Sequence, residues 1–373
     1  MKYIEEFRDG DLARNLASAI AAEAEPGRPY RFMEFCGGHT HAIARYGIED
    51  LLPKEVRMIH GPGCPVCVLP ASAVDNAIML AGKPDVILCT YADMMRVPGS
   101  GRKTLLAAKA EGGDLRMVYS TLDALQAAVD NPQRQVVFFA IGFETTTPPT
   151  AFAILEAKRR GLDNFSVFCN HVLTPAAMRA IMDDPEGLAL DGFVGPAHVS
   201  TVIGVRAYEP FAGDGGKPVV IAGFEPLDVL QAILMLIRQV NEGRSEVENE
   251  YSRAVGHDGN AKAQEIINEV FEVRPEFEWR GLGMTPNSAL AIRAEYAEWD
   301  AERRFAVVTA PGVDHKACQC GAILRGRKRP ADCRLFGAAC TPESPMGACM
   351  VSAEGACAAY WTYGRFRGAK DAL

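Results

Sequence analysis

Eleven cysteines in 373 residues are the main chemical resource of this sequence. Cys36 opens the run CGGHTH at 36–41, so one thiol and the imidazoles of His39 and His41 fall within six residues. A thiol with two imidazoles reads as a metal-handling or acid–base group. The two glycines permit a tight turn and close backbone approach. Cys64 and Cys67 frame C-P-V-C within HGPGCPVC at 60–67. Two thiols at that spacing can form a reversible disulfide or grip a soft metal. Six further cysteines, at 318, 320, 333, 340, 349 and 357, fall in the last 56 residues. An even spread would put fewer than two there. Zinc ribbons use close cysteine knuckles, which this tail lacks. Widely spread thiolates suit an iron–sulfur cluster better. A 4Fe-4S cluster needs four. The set Cys320, Cys333, Cys340 and Cys357 leaves Cys318 and Cys349 as spares, although composition alone does not select it.

Other residues carry weaker signals. Glu144 and Thr145–Thr147 lie in GFETTTP at 142–148, at the end of an apolar run. They can hydrogen-bond a polar ligand or cap the next helix. His171 and His198 also end apolar runs and are candidates for the same cleft. Cys89 and Cys169 sit inside apolar runs and read as small core residues. PGSGRKT at 98–104 lacks phosphate-loop spacing and reads as a basic loop.

The elements that position these groups follow one pattern. Short apolar runs such as PDVILCT, QVVFFAIG and KPVVIAG alternate with helical stretches. That pattern predicts an α/β protein with parallel sheets covered on both faces. Ligands bind such sheets beyond the carboxyl ends of the strands. VFFAIGFETTTPP and VVIAGFEPLDV echo one another, which suggests two related units. The expected division is an α/β domain at 1–135, a second at 136–262, and a cysteine-rich iron–sulfur domain at 263–373. Net charge is −8, which argues against nucleic acid or an anionic membrane as partner. The start is polar, without a signal-peptide core. The longest apolar runs are too short to span a bilayer. A cytoplasmic location is expected, where structural disulfides are rare.

The motifs FMEFCGGHTH, IHGPGCPVCVLP, FFAIGFETTTP, FCNHVLTP, GPAHVSTVIG and CQCGAILRGRKRPADCRLFGAAC occur in order. Together they give a sequence that closely resembles the HypD family of nickel–iron hydrogenase maturation proteins, from about residue 5 to residue 365. The resemblance implies a scaffold for assembling the Fe(CN)2CO centre. It implies a small HypC-type chaperone and a HypE-type cyanide donor as partners. It also implies a 4Fe-4S cluster on Cys320, Cys333, Cys340 and Cys357, and iron under assembly on Cys36. The redox pair it implies is Cys64 and Cys67.

On that reading Cys36 holds the iron and the 64/67 dithiol supplies electrons. His39 or His41 moves protons or orients Cys36, and Glu144, Thr145 and Thr146 offer hydrogen bonds. The rival reading is an iron–sulfur-dependent thiol–disulfide reductase. It has no use for the CGGHTH loop.

Overall fold

The computed structural model describes residues 4–213, 215–308 and 310–365. Nine strands build two parallel sheets: β1 (Tyr30–Glu34), β2 (Val56–His60), β3 (Val86–Thr90), β4 (Asp114–Met117), β5 (Gln135–Gly142), β6 (Phe165–His171), β7 (Gly192–Gly195), β8 (Val219–Ile221) and β9 (Val247–Asn249). The first sheet has the order β2-β1-β7-β8-β9 and the second β4-β3-β5-β6. The apolar runs explain both. All residues of β3 and β6 are buried, as strands covered on both faces require. Helix Pro226–Asn241 packs one side of the first sheet with helix Gly10–Glu23 against it. A capping box between Glu225 and Asp228 and a proline at its first turn start it. Leu230, Ile233, Leu236 and Ile237 are fully buried, each contributing roughly 1.5–3 kcal/mol.

The expected division at 135/136 is not a sheet boundary. The first sheet draws β1 and β2 from before it and β7–β9 from after it. The second sheet, residues 86–171, is inserted between these parts. The Gly-Phe-Glu echo follows β5 in one sheet and β8 in the other, so it does relate two sheets. Strand order depends on long-range pairing, which local periodicity does not encode.

The boundary at 262/263 also falls within shared cores. β10 (Phe271–Val273) pairs with β13 (Leu290–Ile292), and β11 (Glu276–Trp279) with β12 (Gly283–Pro286). Phe271, Leu290, Ile292 and Trp299 join Val136, Phe138 and Val167 of the second sheet in one core. Cys320, Ile323, Leu324, Ala348 and Met350 instead share a core with Met33, Phe35 and Val68. The cysteine-rich region is thus packed into the α/β body. Among the described residues, no helix is long and apolar enough to cross a membrane.

Both sheets have a switch point. In the first, the chain leaves β1 for β2 on one side, while β7 leads to β8 on the other. In the second, β3 leads to β4 and β5 leads to β6. The crevice at such a reversal is the usual ligand site of an open α/β sheet. Cys36 follows β1, and Glu144 follows β5.

Candidate functional site

The two N-terminal thiol motifs meet because β1 and β2 pair in parallel, with Glu34 opposite His60. Their following loops therefore leave the same sheet end side by side. Gly37 donates its N–H to the Gly63 carbonyl at 3.0 Å, and Gly61 to the Glu34 carbonyl at 2.9 Å. Gly63 lies directly on the Phe35–Cys36 backbone. A Cβ there would sit 2.3 Å from the Cys36 nitrogen and 2.4 Å from the Phe35 carbonyl carbon. Cys64 and Cys67 are joined as a disulfide, with Cα atoms 5.2 Å apart. Cys64 caps the short helix Pro65–Val68, and the Cys67 N–H points at its sulfur at 3.2 Å.

A buried carboxylate organises the Cys36 loop. Glu34 is fully buried. It accepts from the Cys36 N–H at 2.9 Å, from the Thr40 hydroxyl, and from His60 Nδ1 at 3.0 Å. The His60 imidazole titrates above its usual range: burial opposes the charge, but the hydrogen bond to Glu34 and its negative charge prevail. Sequence reasoning missed both residues. The available signal was one acid inside the apolar run FMEF.

Cys36 is the N-cap of helix Gly37–Tyr46, a position that favours negative charge. Its thiol is nevertheless raised well above the ordinary range. Burial is the main cause, followed by the Glu354 charge, and the amides of Gly38 and His39 do not offset them. Without a bound cation, Cys36 is protonated at neutral pH. Glu354 reaches this loop from the C-terminal region and crowds the face of Gly37. Its own carboxyl is raised by burial, then by the charges of Asp93 and Glu34.

The predicted histidines separate. His39 is fully buried, and its Nε2–H donates to the carbonyls of Ala222 and Gly223 at 3.0 and 2.9 Å. Burial lowers its pKa, leaving a neutral ring whose Nδ1 has no partner. It clamps the Cys36 loop to the end of β8. His198 joins it across Phe224, with ring centroids 4.2 Å from Phe224 for His198 and 5.1 Å for His39. His41 instead faces the C-terminal segment, where it stacks edge-on with Tyr363 at 5.2 Å and approaches the Ala353 carbonyl. His171 is elsewhere: it is buried, bonded to Thr150 at 2.9 Å, and lowered to about 4 by burial.

Glu144 caps a helix, though not the one directly after it. It accepts from the Thr174 N–H at 2.9 Å and the Thr174 hydroxyl at 3.0 Å, at the start of helix Thr174–Met182. Burial raises it to about 7. Phe35, Phe143 and buried Tyr208 share one core, so the two switch points face a common interior. Thr146 and Thr147 donate their hydroxyls to backbone carbonyls. Cys89 and Cys169 are core residues, as expected.

The tail cysteines converge. Cys318, Cys320, Cys333, Cys340 and Cys357 line one small pocket, walled by Ile323, Phe336 and Met350. All four thiols of the expected set are present, and Cys318 is a fifth. The sulfurs of Cys318 and Cys320 share a hydrogen at 3.3 Å. The Met346 N–H points at the Cys340 sulfur at 3.3 Å. Among the described residues, no three His, Cys, Asp or Glu side chains converge as ligands of a single ion. Thiols arranged around a cavity, with apolar walls and an amide aimed at sulfur, instead fit a multinuclear iron–sulfur cluster. Cys349 is not among the lining residues, but its thiol is hydrogen-bonded with that of Cys320. Its turn, Ala348–Met350, packs against the helix that carries Cys67. The segment 346–357 thus touches the pocket, the disulfide helix and the Cys36 loop.

Fold and site define a class: a doubly sheeted parallel α/β protein whose switch-point thiols adjoin a cysteine-lined pocket. The chain belongs to the HypD family, whose model, described as the hydrogenase formation hypA family, matches residues 11–364. The chain is 66% identical over 372 residues to hydrogenase maturation factor HypD2 of Bradyrhizobium diazoefficiens, covering 98% of each chain. It is 66% identical over 377 residues to hydrogenase maturation factor HypD of Azotobacter vinelandii, covering 100% of each. With HypD of Escherichia coli (strain K12) it shares 46% over 370 residues, 97% of this chain and 98% of that one.

Proposed function

We propose that this protein serves hydrogenase maturation as the scaffold on which Fe(CN)2CO is assembled, with Cys36 as a ligand of the iron under construction. The observation that carries the reading is the contact between the Cys36 loop and the Cys64–Cys67 helix at adjacent strand ends. A low-spin iron bearing cyanide and carbonyl is a soft centre, and a thiolate suits it. Binding it releases the Cys36 proton, which burial otherwise retains. A small HypC-type chaperone supplies a further ligand, and a HypE-type partner brings cyanide as a protein thiocyanate.

Releasing cyanide from a thiocyanate breaks the S–C bond. It takes two electrons and a proton and returns a thiol and cyanide. The 64/67 dithiol supplies two electrons by closing to the disulfide and releases two protons. Cys320, Cys333, Cys340 and Cys357 would hold the 4Fe-4S cluster, which supplies single-electron transfer when bound. Segment 346–357 joins that pocket to the thiols and supports an internal route for reopening the disulfide. Glu34 and His39 hold the Cys36 loop. The reductase alternative leaves the Cys36 loop and its buried Glu34 without a task.

Cys36→Ala tests the reading. Purified with its partners, the variant is expected to lose the extra iron and its cyanide while keeping the visible absorption of the tail cluster. Unchanged iron and cyanide content would overturn the assignment of Cys36.

A further inference from the structure

The cluster-binding segment carries a charge opposite to that of the rest of the chain. Residues 311–340 hold six Lys or Arg against two Asp, net +4 with His neutral, in a protein of net −8. Arg327 is engaged with Asp184 and Glu186. Lys316, Lys328, Arg329 and Arg334 are exposed. Lys316 lines the neighbouring cleft with Pro98 and Met346, and Lys328 and Arg329 line another with Arg57 and His60, while Lys316, Lys328 and Arg334 adjoin residues of the thiolate pocket itself. Of its two half-buried thiols, Cys318 lies two residues after Lys316 and Cys333 directly before Arg334. Lys328 donates to Gln319, itself a wall of the pocket, at 2.7 Å. Cys320, Cys340 and Cys357 are buried behind them. The basic rim therefore sits where the pocket comes nearest to solvent.

We propose that this rim docks a small acidic one-electron carrier protein of the iron–sulfur type. The inference rests on the reading of the pocket as a cluster site. A dithiol that gives two electrons per turnover needs them restored one at a time, so a reduced carrier must approach the cluster closely. In each encounter the carrier loses one electron and the cluster gains one. Opposite charge speeds such encounters and orients them. Electron-transfer interfaces are small, commonly under about 1,200 Å², so a few rim charges dominate the docking. The remainder of the surface, net negative, repels an acidic carrier from unproductive faces.

The test uses the holoprotein, with its cluster absorption recorded first, and an acidic 2Fe-2S ferredoxin as probe. Binding is measured by calorimetry at low and high salt for the wild type, for Lys316→Glu/Lys328→Glu/Arg334→Glu, and for Lys316→Glu/Lys328→Glu. The second variant leaves the neighbour of Cys333 intact should the first misfold. Binding is expected to weaken with salt and by at least about tenfold on charge reversal. Lys158→Glu, on helix Thr147–Arg160 away from the rim, is expected to bind as the wild type does. Affinity unchanged by reversal, or an RNA oligonucleotide bound more tightly than ferredoxin on this face, would overturn the proposal. A protein that carries no cluster would fail the reading of the pocket. A cluster-bearing protein that leaves ferredoxin unbound would fail the docking face alone.

Discussion

Two buried carboxylates illustrate how single residues set this site. Glu34 accepts three hydrogen bonds from the Cys36 backbone, Thr40 and His60. Replacing it by alanine leaves those donors unpaired in a buried place. Glu34→Ala is expected to cost about 3 kcal/mol, read as a lower urea midpoint at unchanged slope. Glu144 behaves differently, because burial raises its carboxyl to about 7 from an ordinary 4.5. A raised acid binds its proton more tightly when folded, so its contribution is full below about pH 4.5 and fades as pH rises through about 7. Glu144→Gln keeps an acceptor for Thr174 and has no proton to lose. The variant is expected to gain on the order of 1–3 kcal/mol over the wild type across that window. Parallel pH profiles of unfolding for the two proteins would contradict this.

At the scale of elements, the site depends on two strand-end loops held in contact. Gly63 has no space for a methyl group against Phe35 and Cys36. Gly63→Ala is expected to separate the loops and destabilise the fold by about 1–3 kcal/mol, with a lower melting temperature and faster alkylation of Cys36. The parallel strands, the core placement of Cys89 and Cys169, and the gathering of Cys320, Cys333, Cys340 and Cys357 were legible in the sequence. Apolar runs and thiol spacing report local and compositional facts of that kind. Glu34 was not legible, because a single acid in a strand shows no partner until His60 and Thr40 are brought beside it. The helix that Glu144 caps was missed for the same reason: its first residue, Thr174, comes 30 positions later. Nor could His39 and His41 be told apart, since two residues along a helix, about 200°, send them to opposite surroundings.

Over the whole molecule, the order of strands departs from the order of the chain. The second sheet is inserted within the first, and the tail returns to pack against both the Cys36 loop and the disulfide helix. Segment 346–357 makes one connected body of three thiol groups spread from residue 36 to residue 357. That connection gives the account its central claim: Cys36 holds an iron carrying cyanide and carbonyl, beside thiols that supply electrons. The most direct test is infrared spectroscopy of the protein purified together with the proposed HypC-type chaperone. The account predicts stretching bands of metal-bound cyanide and carbonyl in the wild type and their loss in Cys36→Ala. Bands of equal strength in both proteins, or none in an iron-loaded wild-type complex, would contradict it.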